Sequence, residues 1–342
     1  MKRLILICLT VFVLWGCSQP TPSLYTLKGE AFGTTYAIQY YSLEPTVSMT
    51  GVDSVIQMVN NSVSTYIPDS DISRINAGDS TVVADQIFAE VFQLSEQVFK
   101  ESNGYFDPTI GVLRNAYGFG DVSPLEVIDE SVLDSLMVMV GFDKVKLLPD
   151  GQVIKEHPGI YFDFNAVAKG YGIDLLGKYL DTQGATDYLI ELGGEIVAKG
   201  MNLNRQGPWV VGIEAINSPL EDRSFQASLQ ISDRGMASSG NYRKYRIDEV
   251  TGKRYVHTIN PLNGAAQQSD LTSATVLAPT CAQADAYATA FMAMGYQRSL
   301  ELLSELNGIE VYLTYQEGDE VKVFASPGLG QQLLSGFPAD GQ

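Results

Sequence analysis

Asp285 and Thr289 stand four residues apart in "AQADAYATAFMAMG", residues 282–295, a stretch with almost nothing else polar in it. On a helix that spacing puts a carboxylate and a hydroxyl on one face, one turn above the other. A carboxylate in so apolar a helix needs a partner, because an unpaired buried charge costs several kcal/mol. Three kinds exist: a Lys or Arg, a cluster of backbone N–H groups, or a metal ion. Asp285 lies past the first turn, so the N-terminal amides of its own helix are mostly out of reach. A carboxylate joined by a neutral oxygen suits a hard cation. On spacing alone a buried ion pair and a solvent-facing helix also stand.

Composition narrows the metal. The chain has two histidines, His157 and His257, and three cysteines, Cys8, Cys17 and Cys281. That nearly excludes a His-rich zinc site and excludes a Cys site, leaving oxygen ligands for magnesium or calcium. With 40 acidic against 22 basic residues, the surface repels nucleic acid and anionic headgroups. An anionic ligand therefore needs local positive charge, which a divalent cation supplies.

The elements that must position these residues read as α+β. "LYTLKGEAFGTTYAIQYY" alternates like a strand pair around Gly33, "GVDSVIQMVNNSVSTYI" is helical up to Pro68, and "PDSDISRIN" reads as a loop. Residues 84–102 have helical spacing and end at Asn103-Gly104, whereas "GYFDPTIGVLRNAYGFG" reads as an ordered loop. A short helix over 131–140 precedes hairpin strands near Val145 and Val153. "IYFDFNAVAKGYGIDLLGKYLDTQG" predicts a strand, a turn at Asn165 and a helix closed by Gly184. Strands follow on both sides of Gly193-Gly194, then in "PWVVGIEA", "SFQASLQISD" and "SATVLAP". Thr280 is the expected N-cap of the Asp285 helix. The helix in "RSLELLSELNG" and the hairpin from "EVYLTYQ" to "EVKVFAS" finish the chain. Helices alternate with antiparallel hairpins without a regular βαβ cadence, which predicts helices layered on antiparallel sheets. The order strand, turn, helix, Gly, strand, strand occurs from Ile160 and again from Ser273, as in two related halves.

Other segments hold chemistry-bearing residues that are weak signals singly: Asp163 and Lys169 in "DFNAVAKGYG", Gly193-Gly194 in "ELGGEI", Ser239, Tyr242 and Arg243 in "SSGNYRKY", and His257 and Asn260 in "YVHTINPLNG". In order, "FGTTY", "STYIPDSDISRIN", "SNGYFDPTIGVL", "DFNAVAKGYGID", "LIELGGEI", "SSGNYRKY", "RYVHTINPLNG" and "VLAPTCAQADAYATAFMAMG" closely resemble the successive blocks of the ApbE-type FAD:protein FMN transferases. The resemblance runs from Phe32 to Gly295 and implies a T-fold-like pair of halves. It also implies that FAD is cleaved at its pyrophosphate with Mg2+ bound, FMN passing to a Thr or Ser hydroxyl of an acceptor protein as AMP leaves. Acceptors of that family are flavin-carrying subunits of membrane redox complexes, the sodium-pumping NADH:quinone reductase and its Rnf-type relatives.

By the same resemblance Asp285, Thr289 and the backbone carbonyl of Ala166 hold the cation, and Lys169 adds a point charge at the phosphates. Tyr66 matches the aromatic residue that stacks on the flavin. Phe32, Tyr105, Phe106, Asp107, Asp163 and Ile259 match positions that contact FAD or line its pocket. His257 is the candidate base for the acceptor hydroxyl, or else it orders the "HTINP" turn. Many relatives have Asp where this chain has Asn260, and Asn is no base. Asp71, Ser73 and Arg74 are expected to brace their loop. Two alternatives remain: an Mg-dependent FAD pyrophosphatase giving FMN and AMP, and a non-catalytic, lipid-anchored flavin-binding protein.

The N-terminus "MKRLILICLTVFVLWGCSQPTPS" carries a basic start and an apolar core too short to span a bilayer comfortably. Leu14-Trp15-Gly16-Cys17 resembles a bacterial lipobox, which implies that residues 1–17 are a lipoprotein signal segment, cleaved just before Cys17, with Cys17 lipidated as the new N-terminus. A plain secretory signal is the other reading. Losing Lys2 and Arg3 takes the net charge from −18 to about −20. Residues 18–27 form a tether and residues 28–335 the domain, placed in the cell envelope, anchored to the membrane and facing the periplasm. No disulfide framework is available to the processed chain.

Overall fold

The computed structural model describes residues 20–216, 224–241, 245–247 and 252–335. Cys17 and the signal segment, and Tyr242 and Arg243, lie outside the described residues.

Alternating side chains make a hairpin of β1 (Ser23–Ala31) and β2 (Thr34–Ser42), closed by Phe32 and Gly33 at φ 50 and 76. The ladder starts at Ser23, paired with Ser42, so residues 23–27 belong to the sheet and not to the expected tether. Ser48 starts α1 (Met49–Val63) by accepting from the Gly51 amide at 3.1 Å. The segment read as a loop becomes α2 (Asp71–Asn76), because Ser70 Oγ accepts from the Ser73 amide at 3.2 Å. Asp85 caps α3 (Gln86–Glu101). The glycine-punctuated segment after it also contains a helix, α4 (Gly111–Tyr117), which Gly118 stops in a left-handed conformation at φ 79.

Helix α5 (Glu130–Met137) leads to the small hairpin of β3 (Val145–Leu147) and β4 (Val153–Lys155). The strand expected at Ile160 is only a parallel bridge between Tyr161 and Ile110, and α6 (Ala168–Thr182) follows. The first expected half thus lacks its leading strand. After it come β5 (Tyr188–Leu192), β6 (Glu195–Lys199), β7 (Trp209–Glu214), β8 (Phe225–Ile231), β9 (Arg234–Gly240), β10 (Tyr245–Ile247) and β11 (Arg254–Val256). The second half keeps its strand: β12 (Leu271–Ala278) feeds α7 (Cys281–Met294), with Thr280 as the N-cap. The chain ends with α8 (Tyr296–Glu305), β13 (Glu310–Glu317), β14 (Glu320–Ala325), α9 (Pro327–Gly330) and β15 (Leu333–Ser335).

The main sheet runs β1-β2-β5-β6-β9-β12-β13-β14, antiparallel at each pairing. One face packs Ile38, Ile190, Ala237 and Val276 against α1, α3, α6 and α7. The opposite face packs Tyr41, Ile196, Met236 and Leu277 against Trp209, Val211 and Leu229 of a three-stranded sheet ordered β15-β8-β7. The α+β class is therefore observed as helices, an antiparallel sheet and a smaller sheet in layers. No helix among the described residues is long and apolar enough to cross a membrane.

Candidate active site

Helices α6 and α7 meet at their first turns, and each caps the other. Asp285 of α7 accepts from the Gly170 amide at 3.1 Å, while Asp174 of α6 accepts from the Cys281 and Ala282 amides at 2.9 and 2.8 Å. Asp285 cannot reach its own helix's N-terminus, so a neighbouring helix supplies the amide. Burial still pushes Asp174 up to about 6 against these hydrogen bonds. The approach needs glycine: a Cβ on Gly170 would lie 2.5 Å from the Cys281 carbonyl oxygen, and one on Gly235 2.2 Å from the Cys281 nitrogen.

A carboxylate not singled out in the sequence stands beside this junction. Gly193-Gly194, at φ 60 and 107, turn the chain tightly into β6, which begins at Glu195. Glu195 Oε2 lies 2.6 Å from Lys169 Nζ, its side chain 5% exposed and that of Lys169 28%. Burial by itself would lower the lysine; the charges of Glu195 and Asp285 outweigh it and hold the ammonium above its ordinary pKa. Burial keeps Glu195 above the usual carboxylate range despite Lys169.

The junction opens into a cavity of about 770 Å³ lined by residues of the helical layer, the main sheet and the small sheet. Its lining includes Asp285, Thr289, Ala166, Lys169, Asp163 and His257, together with Tyr66, Tyr105, Phe106, Asp107 and Ile259. A volume of this size is ordinary for a cofactor pocket. Phe32 is the exception. Its ring lies against α6, where a Cβ on Gly172 would come within 2.6 Å of it, and it is not among the cavity-lining residues. A residue at the tip of a hairpin turn is carried by that hairpin, and β1–β2 places it on the helix.

Two expected contacts have other partners. Asp163, expected to meet the nucleotide, forms an ion pair with Arg114 Nη1 and accepts from the Asn165 amide at 2.8 Å. Arg114 also reaches the Tyr66 hydroxyl at 3.4 Å and donates to the Phe119 carbonyl. Asp107 accepts from the Thr109 amide and hydroxyl at 2.7 and 2.6 Å and from the Phe142 amide at 3.0 Å. Its carboxylate is thus committed to the fold, and burial pushes it up to about 6. Tyr66 is 62% exposed at the cavity, as a flat stacking surface requires. Asn260 turns its side-chain oxygen to the Leu262 amide at 3.0 Å, and Arg74 pairs with Asp79 at 2.7 Å, bracing their turns.

The profile of the ApbE family matches residues 32–313. The chain belongs to the ApbE family. Among ApbE relatives, an FAD:protein FMN transferase of Vibrio cholerae is 34% identical, over 95% of this chain and 97% of its own. One from Haemophilus influenzae is 34% identical, over 92% and 93%. The solved flavin transferase ApbE from Vibrio cholerae superposes with a TM-score of 0.79 at 30% identity, covering 91% of this chain and 99% of that one. The apo form of the Pseudomonas stutzeri flavinyl transferase ApbE gives 0.79 at 26%, with coverages of 91% and 97%.

Glu195 and Arg114, which pair with Lys169 and Asp163, are not singled out by the sequence. Both stood in segments already singled out for other residues, Glu195 directly after the paired glycines. A charged residue beside a glycine turn gives no sign of its burial; only the pairing partner does.

Proposed function

We propose that this cavity cleaves FAD at its pyrophosphate and passes FMN to a hydroxyl of an acceptor protein. The chain is an enzyme that transfers FMN from FAD to a protein. The observation that carries the site assignment is the gathering of Asp285, Thr289, Ala166, Lys169 and His257, from blocks far apart in sequence, onto one cavity.

The donor set fits a hard divalent cation: a carboxylate, a hydroxyl and a backbone carbonyl, all oxygen, from residues that line one cavity. Among the described residues no group of three or more His, Cys, Asp or Glu side chains is placed to hold a metal ion, so the cation would rest on mixed oxygen donors. Asp285, Thr289 and Ala166 would hold Mg2+, which when bound offsets charge on both phosphates. Lys169 adds a fixed positive charge beside them. Tyr66 offers its exposed ring to the flavin, and Arg114 steadies its hydroxyl.

In the reaction, the acceptor oxygen bonds to the FMN phosphorus as the bond from that phosphorus to the AMP oxygen breaks. The hydroxyl proton passes to His257, a residue that lines the cavity. Acceptors are flavin-carrying subunits of sodium-pumping NADH:quinone reductase or Rnf type. The Cys17 anchor holds the enzyme in the envelope facing the periplasm, where such subunits present their threonine. The test is mass spectrometry of an acceptor domain mixed with the protein, FAD and Mg2+. An FMN adduct on threonine is expected, and Asp285→Ala should lower its rate more than about a hundredfold while staying folded. Free FMN formed at full rate without acceptor would make the enzyme a hydrolase, and an undiminished adduct rate in the variant would remove Asp285 from the site.

A further inference from the structure

Lys169 directly precedes Gly170, whose amide rests on Asp285 Oδ2 at 3.1 Å. An ammonium on a four-carbon stem rooted one residue from that contact can reach the same carboxylate. Instead its ion pair is with Glu195, at 2.6 Å. Glu195 needs an explanation of its own. A nearly buried carboxylate is costly to install, and a further negative charge beside a pyrophosphate opposes binding. Its backbone is fixed by the glycine turn that starts β6, so the carboxylate is presented to Lys169 from a rigid strand. The Asp285 charge already acts on Lys169, so without Glu195 it is left to draw the ammonium, which would then stand where a cation binds.

We propose that Glu195 is a positioning residue, clamping the Lys169 ammonium so that it does not compete with a divalent cation for Asp285. This rests on the cation reading of Asp285, Thr289 and Ala166 given above. The arrangement keeps the positive charge of Lys169 at the phosphate side while the pair as a whole stays neutral. It also predicts a specific pattern of rescue, because removing the lysine should cancel the harm done by removing its clamp.

The test is calorimetric titration of the full chain with Mg2+ alone, no nucleotide present. Glu195→Gln should bind Mg2+ about ten- to a hundredfold more weakly than wild type, the range seen for groups that orient metal ligands. Adding Lys169→Met to Glu195→Gln should restore most of that loss. Unchanged affinity in Glu195→Gln overturns the proposal. So does a double variant that stays weak, since Glu195 would then act on the cation or the fold directly. If Glu195→Gln does not fold, Lys169→Met carries the test: affinity at least equal to wild type supports the clamp and weaker affinity overturns it. Wild type and Asp285→Ala binding Mg2+ equally would instead defeat the cation reading itself.

Discussion

Asp107 shows how a single carboxyl can hold the fold and oppose it at once. Three donors from Thr109 and Phe142 converge on it, yet burial raises it from 3.8 to about 6. A carboxyl raised in the folded state contributes stability fully below its unfolded pKa, and loses that contribution as pH rises through the folded value. Asp107→Asn should be less stable than wild type because its amide cannot accept all three bonds. The gap should narrow as pH goes from about 4 to about 6, since Asn has no ionised form to desolvate. Urea midpoints at several pH values read this directly, and a gap that widens with pH would contradict it. The sequence marked Asp107 as a ligand contact. Nothing in "GYFDPT" shows that the Phe142 amide, 35 residues on, would claim the second oxygen.

Elements come together here through exchanged caps. Helices α6 and α7 satisfy each other's N-terminal amides through Asp174 and Asp285, and Gly170 lets the two backbones touch. In an isolated helix Gly170→Ala would be favourable by about 1 kcal/mol. In this fold the sign should reverse, because the new Cβ meets backbone that cannot rotate away, and overpacking costs about 1–3 kcal/mol. A lowered melting temperature together with weaker Mg2+ binding is expected in that one variant. A rise in melting temperature would mean that the helices are not in contact there. The helices themselves were legible, since Thr280, Gly184 and the apolar spacing all announce them. Their mutual capping was not, because it joins residues over a hundred positions apart. Helices α2 and α4 were missed for a simpler reason: at six and seven residues they are too short to show periodicity.

The molecule as a whole sets one sheet between two unlike layers, and residues of all three line the cavity. The ladder begins at Ser23, six residues beyond Cys17, so a lipid on that cysteine would hold the domain close against its membrane. Cys17→Ala should move the protein from the membrane fraction to the soluble fraction of the envelope, with FMN transfer to a soluble acceptor domain unchanged. Fractionation and the mass-spectrometric assay together check it. Retention of the variant at the membrane would remove the lipid anchor from the account.

Spacing and residue type determined the apolar helix carrying Asp285 and Thr289, the hairpins and the α+β class, because these follow from periodicities shorter than one element. The order of blocks determined the family. Tertiary structure decided who partners whom: Asp285 with an amide of α6, Lys169 with Glu195, Asp163 with Arg114, and Phe32 against a helix outside the cavity. The physical reason is range. Local pattern fixes which face of an element is apolar, whereas the cost of burying a charge is settled only by the group that packing brings to it from elsewhere in the chain.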